Sequence, residues 1–405
     1  MRPRYQNNAK IVSKITKNLV FGLKTAFLPV NGYKILNMTK IYVLACLIVT
    51  VFLVAGSQAA TINIDKLGLW AGGSIGLGNS VSVDAAIAAG SEIYAGNSAN
   101  FRSIYTENMV WLGNNATVSG TVLANKQAWA GSGLNLSGNW TGGSVYIGSN
   151  ANITGDIGAR SSSISLGSNA SITGDILGNK NIWIGNNSTI TGDARPGNGS
   201  TLSKGNNVTI TGLTQPGSFS FDSFDLPELD QLQQSAIGTE NISGEKYSVT
   251  TLLAGDYRDW CFDKNTTLNL SAGDYSLKNF SMNKDGVVNI DTSGGDVTLN
   301  VVGQFSTGRD VSFLKSGSGN LFINVFGHDV QLEDNVKLSA TLKVYGGNFS
   351  ADNAVQLAGR FYATGDIWLG CNTQLQYACS ALPVPEPSTL AIFAAMGLFV
   401  SCKRK

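Results

Sequence analysis

One phrase recurs along the first half of this chain at a nearly constant step, and it limits the fold more than any other feature. Ile153-Thr154-Gly155-Asp156-Ile157 returns as Ile172-Thr173-Gly174-Asp175-Ile176, as Ile190-Thr191-Gly192-Asp193-Ala194, and in shortened form as Ile210-Thr211-Gly212-Leu213. Earlier versions are Val118-Ser119-Gly120 and Leu136-Ser137-Gly138, so from Val118 onward the steps are 18, 17, 19, 18 and 20 residues. A second phrase sits between them: Val145-Tyr146-Ile147-Gly148, Ile164-Ser165-Leu166-Gly167 and Ile182-Trp183-Ile184-Gly185. A unit this short cannot bury its apolar side alone and must stack on its neighbours.

Two-residue alternation punctuated by Gly, Asn and Ser describes strands of about four residues separated by tight turns. A period near 18 then makes one coil of a parallel β-helix with three short faces. The Ile and Val positions stack on their counterparts one coil away, about 4.8 Å distant. Gly and Asn at the corners tolerate the left-handed backbone that such turns require. The expected fold is therefore all-β, a parallel β-helix, with residues 60–213 as its first block.

A second block spans residues 247–380. Ala254-Gly255-Asp256-Tyr257 returns as Ala272-Gly273-Asp274-Tyr275, and Val336-Lys337-Leu338 is matched by Val355-Gln356-Leu357. Between the blocks, residues 214–246 lack the repeat. Phe219, Phe221 and Phe224 alternate there with polar residues, and Asp225 to Gln234 reads as an acidic turn of helix after Pro227. Three Phe in one segment predict an excursion packed against a β-helix face rather than a disordered linker.

Both ends carry handling signals. From Met38, a Lys-bearing start, an apolar run from Ile41 to Ala55 and the small residues Gly56-Ser57-Gln58-Ala59 have the three parts of a secretory signal, which assigns residues 1–59 to an N-terminal extension and signal helix. At the other end, residues 381–405 contain Val384-Pro385-Glu386-Pro387-Ser388, an apolar stretch from Thr389 to Cys402, and Lys403-Arg404-Lys405. The prolines keep their tripeptide out of any helix. The apolar stretch predicts a short transmembrane helix, and the basic stop suits the cytoplasmic side.

In that order these tail residues resemble the PEP-CTERM sorting signal of exported proteins in Gram-negative bacteria that have an exosortase. The resemblance implies an exosortase as partner, cutting near Pro385, Glu386 and Pro387. It also implies passage through the inner membrane and release or re-anchoring at the cell envelope, with exopolysaccharide and biofilm matrix as the setting. The coils from about Trp111 to Gly212 resemble those of bactofilins, bacterial β-helical scaffold proteins, in rung length and in their Gly-Asp or Gly-Asn corners.

Without the two signals the body holds 17 Lys and Arg against 26 Asp and Glu, a net charge of about −9, which disfavours nucleic acid and other polyanions as partners. A single His328 removes the usual zinc and triad constellations. Cys371 and Cys379 are candidates for a disulfide in an oxidising compartment. Asp156, Asp175 and Asp193 form a column along one edge that reads as turn capping, with a shared cation as the speculative alternative. Thr154, Thr173, Thr191 and Thr211 form a file.

These observations point to a non-enzymatic structural protein of the envelope or extracellular matrix, with no catalytic residue and no cofactor. Its expected partners are the exosortase, exopolysaccharide and further copies of itself through open coil ends. The alternative is an ice-binding or adhesive β-helix surface, carried by the Thr file. A polysaccharide lyase or hydrolase on the same fold is a lesser alternative: hydrolysis needs two converging carboxylates, for which the stacked aspartates are the candidates, and no Arg or Lys cluster of the kind a lyase needs flanks them.

Overall fold

The computed structural model describes residues 60–377 apart from residue 222. The expected signal segment, the expected sorting tail with Pro385, Glu386, Pro387, Lys403, Arg404 and Lys405, the expected transmembrane helix, and Cys379, expected to bond Cys371, all fall outside the described residues. Within them the chain is an all-β parallel solenoid.

One coil shows how residues make the structure. Asn152–Thr154 forms the first face, Ile157–Ala159 the second and Ile164–Leu166 the third. Ile153, Ile157, Ile164 and Leu166 point inward and are fully or almost fully buried, and each pairs in register with its counterpart one coil away. The corner after the third face places Asn150, Asn169, Asn187 and Asn207 at φ between 55° and 60°. Asparagine tolerates that left-handed backbone, and the side chains bond one another in a ladder: Asn169 to Asn150 at 3.1 Å, Asn187 to Asn169 at 3.4 Å and Asn207 to Asn187 at 3.1 Å. At the corner between the first two faces only glycine fits. A Cβ on Gly174 (φ 147°) would lie 2.2 Å from the Gly155 carbonyl oxygen.

The second block has larger coils and fills them with aromatics. Trp260, Phe280 and Phe305 occupy consecutive rungs of the third face at steps of 20 and 25 residues, and Phe280 stacks on Phe305 at 4.6 Å. A wider cross-section leaves a void unless bulkier side chains close it, so coil length and core composition change together. The repeated Ala-Gly-Asp-Tyr phrase does not stack on itself here. Gly255 pairs with Tyr275 and Asp256 with Ser276, because the coil is two residues longer than the phrase spacing.

The coils are not stacked in chain order. The third face is a 15-stranded sheet in which Ile75–Leu77, the first coil of block one, lies between Glu92–Ala95 and Ile367–Leu369, the last full coil of block two. Block one grows from this joint to Leu202–Lys204 at one end, while block two starts at the far end with Ile242–Gly244 and grows back to the joint. The segment between the blocks therefore returns along the whole rod. Fourteen strand spacings of about 4.8 Å make roughly 67 Å, and residues 214–241 reach roughly 90 Å when extended.

That return segment is a strap on the second face, and it holds no helix. The turn of helix expected from Asp225 to Gln234 is absent, and beyond the two-residue strand Phe224–Asp225 the strap runs without regular structure to Ile242. An extended path is what its span demands, since a helix advances only about 1.5 Å per residue. Its three Phe do pack on the solenoid. The Phe219 backbone is held by the Asn179 side chain through two bonds of 3.2 Å. Phe221 covers Gly158, and the Phe224 ring lies 6.0 Å from Tyr105. Leu229 then joins Leu67, Trp70, Ala88 and Tyr362 in a small buried cluster outside the main core, and Gly238 donates to the Tyr257 carbonyl at 3.0 Å.

Candidate binding faces

The first face carries the threonine file. Thr154, Thr173 and Thr191 are exposed and paired in register, with Ser137 before them and Thr211 following after the strand Thr209–Ile210. Two residues earlier on each strand runs a parallel rank of Thr117, Asn135, Asn152, Ser171, Thr189 and Thr209. The inward residue between the ranks anchors each strand, with Val118, Leu136, Ile153, Ile172 and Ile190 buried and Ile210 half-buried, so the hydroxyl and amide side chains form a lattice about 4.8 Å between coils and roughly 6.6 Å between ranks. The lattice ends toward the joint at the exposed ion pair of Arg102 with Asp84, 2.6 Å apart.

The aspartate column lies at the adjacent corner. One oxygen of Asp156 accepts the N–H of Asp175 at 2.8 Å, Asp175 that of Asp193 at 2.8 Å, and Asp193 that of Leu213 at 2.7 Å. Asn139 holds the preceding position, accepting from Asp156 at 2.9 Å. The interchange of Asn and Asp fits a role as acceptor for a backbone N–H, which either residue fills. Among the described residues no group of three or more His, Cys, Asp or Glu is placed to hold a metal ion.

The second face is taken up by the strap. Burial under it pushes the Tyr362 hydroxyl pKa upward, and that hydroxyl donates to the Ile64 carbonyl at 2.9 Å. Burial, with the Asp230 carboxylate adding to it, pushes Tyr345 up to about 12. His328 sits exposed in a turn of block two, and Cys261 is exposed on the third face.

The third face holds residues that the repeat analysis read only as strand alternation. Its outward rank in and beside block one is aromatic: Trp368, Tyr94, Trp111, Trp129, Tyr146 and Trp183, with Gly76 and Ser165 interrupting it. Trp129 and Tyr146 stack at 5.5 Å and 4°, and Trp111 lies 5.2 Å from Trp129. The signal was present in the middle residue of Val145-Tyr146-Ile147 and Ile182-Trp183-Ile184. In block two the same rank becomes small and polar, and a groove of about 850 Å³ runs past Cys261, Ser281, Ser306 and Gln331.

Together these features define a parallel β-solenoid of about 16 turns in two parallel sheets, a 25-stranded one that holds the first and second faces and a 15-stranded one that is the third face, with the strap on the second face. No family model matches the chain, so the tail and bactofilin resemblances remain resemblances, and no curated protein matches it. Among solved structures it is similar to an ice binding protein from an Antarctic bacterium, Flavobacteriaceae. The two share 12% identity over 81% of this chain and 100% of that one, with a TM-score of 0.24. A likeness of that extent adds nothing to the choice of function.

Proposed function

We propose that this protein is a non-catalytic surface solenoid whose first face adsorbs to ice. The observation that carries the reading is the in-register double rank ending in Ser171/Thr173, Thr189/Thr191 and Thr209/Thr211. Each threonine offers a methyl group and a hydroxyl that donates and accepts. On a rigid flat sheet they hold water molecules at fixed spacings, at little further cost in ordering. The test is ice recrystallisation and thermal hysteresis of the purified protein beside Thr173→Lys and Thr191→Lys. Activity that those substitutions abolish supports the reading. Inactive wild-type protein, or variants as active as wild type, overturns it.

A second reading is an exported envelope or matrix protein, processed by an exosortase and associated with exopolysaccharide. The Pro385-Glu386-Pro387 tail and the aromatic rank of the third face favour it. Mass spectrometry of the mature C-terminus from strains with and without the exosortase tests the sorting step. Loss of the segment beyond Pro387 only where the enzyme is present supports it, and an intact tail in both strains overturns it.

A further inference from the structure

We propose that the third face is a binding track for an extended, uncharged polysaccharide, with the aromatic rank as its stacking platform. This deepens the matrix reading by assigning its glycan a site, and it is independent of the threonine face.

Four of the aromatics expose about half of their surface: Trp111 47%, Tyr146 44%, Trp183 48% and Trp368 56%. Single exposed apolar residues are ordinary, but aromatics on consecutive rungs, as from Tyr94 through Trp111 and Trp129 to Tyr146, mark a place where something binds. The row spans eight coils, roughly 34 Å at about 4.8 Å per coil. That repeat is comparable to the advance of one sugar ring along an extended glycan, so successive sugars meet successive rungs.

The row is also built rather than accidental. Trp368 is accommodated because its neighbour is Gly76, where a Cβ would lie 2.1 Å from Trp368 Cε3. The indole rests on the bare backbone of the next coil and leaves its outer side open. Beside it a cleft of about 310 Å³ is lined by Tyr94, Trp111, Trp129 and Trp368 together with Asn97 and Asn114. The side-chain oxygens of both asparagines accept backbone N–H groups of the following coil, from Asn114 at 2.8 Å and from Ser132 at 2.9 Å. Their amide N–H groups have no partner among the described residues. Ring faces next to free amide donors are what a sugar needs, since its C–H faces are apolar and its equatorial edge carries hydroxyls.

Charge decides the class of glycan. In the third-face strands from Trp368 to Trp183 the sole ionisable acid or base is Glu92, and its carboxylate accepts the Tyr94 hydroxyl. No Lys or Arg lies in these strands to pair with a uronate, sulfate or phosphate. Toward block two the rank turns small and polar and its groove carries Glu245, Lys246, Asp263 and Glu333, so the uncharged track is confined to the aromatic row.

The experiment is affinity electrophoresis of the purified protein through gels containing a neutral soluble β-glucan or, separately, alginate. Wild type is compared with Trp111→Ala/Trp129→Ala, with Trp368→Ala and with Thr173→Lys. The expected result is retardation by the glucan alone, weakened about tenfold for each ring removed and unchanged in Thr173→Lys. The tryptophans are at the surface, so matching unfolding temperatures will show that the variants fold. Equal retardation of wild type and the tryptophan variants, or retardation by alginate alone, overturns the proposal. So does a self-association in sedimentation that the tryptophan variants lose without any glucan effect, which would make the row a contact between copies. Exosortase processing does not enter this assay, so a failed sorting step and a failed binding track are distinguishable.

Discussion

The backbone N–H of Ser74 donates to the Asp366 carboxylate at 2.7 Å, across 292 residues of sequence. This bond belongs to a corner ladder that begins in block two, where Asp329 accepts from Asn348 at 2.8 Å and Asn348 from Asp366 at 2.8 Å. The ladder crosses from the last coil of block two to the first coil of block one without a break, so the joint is an ordinary solenoid step.

A chain cut inside the strap will therefore stay a single rod. Around the joint, Leu69, Trp70 and Ala71 pair with Phe361, Tyr362 and Ala363, and Ile75–Leu77 pairs with Ile367–Leu369. Gln231, Leu232, Gln233 and Gln234 are exposed and outside regular structure, which makes them the expected cleavage site in limited proteolysis. Size-exclusion chromatography of the nicked protein should show both fragments co-eluting, and separate elution in native buffer would contradict the joint described here.

Gly158→Val should lift the strap without disturbing the coil. A Cβ there would sit 2.5 Å from Phe221 Cε1 but 3.3 Å from Thr141 Oγ1, so the strap ring takes the hard clash while the strand pairing with Thr141 and Leu177 needs at most a small shift of the Thr141 hydroxyl. Overpacking of this kind costs about 1–3 kcal/mol. Faster proteolysis in residues 214–241 with retained β-sheet circular dichroism is the expected pattern.

Substitutions along the aspartate column should follow hydrogen bonding rather than charge. Asp175→Asn keeps an acceptor for the Asp193 N–H, while Asp175→Ala removes it and should cost about 1 kcal/mol. Thermal unfolding with and without a calcium chelator should be the same for wild type. A melting temperature that falls on chelation would restore the cation reading.

Strap attachment should weaken in alkali. In Tyr345 the folded-state pKa is raised from 10.0 to about 12 by burial, so the folded chain holds that proton more tightly than the unfolded one. The resulting stabilisation is fully present below about pH 10 and is lost as pH rises from there through about 12. Tyr362, raised by burial in the same cluster, acts in the same direction. The Tyr345 hydroxyl is buried without a hydrogen-bond partner, so Tyr345→Phe should be neutral or slightly stabilising at neutral pH and should flatten the alkaline decline. Denaturant unfolding across that pH range checks both.

Much of the solenoid could be read from local chemistry. Ile153, Ile172 and Ile190 were legible as one inward rank and Thr154, Thr173 and Thr191 as one outward file, because a strand's two-residue period assigns each residue a side. The phrase Thr364-Gly365-Asp366 shows where such reading misleads. It repeats Thr154-Gly155-Asp156, yet Asp366 precedes a third-face strand and Asp156 a second-face strand. Either corner can use the same turn, so the phrase does not say which one it makes. The aromatic rank went unread because Tyr146 and Trp183 fit strand alternation equally well whether or not their neighbours in space are aromatic.

By itself the sequence determined the coil of block one: its length, its inward residues, its corners with left-handed backbone and its short strands. These depend on interactions within about 18 residues or between equivalent positions one step away. Only the tertiary structure decided the order of the coils, with Ile75 seated on Ile367 and the strap drawn back along the second face. The edge of one parallel coil presents nearly the same N–H and C=O pattern as that of any other. Which edges meet is therefore set by the reach of the strap and the apolar surface it buries from Phe221 to Leu229, and no local motif records that choice.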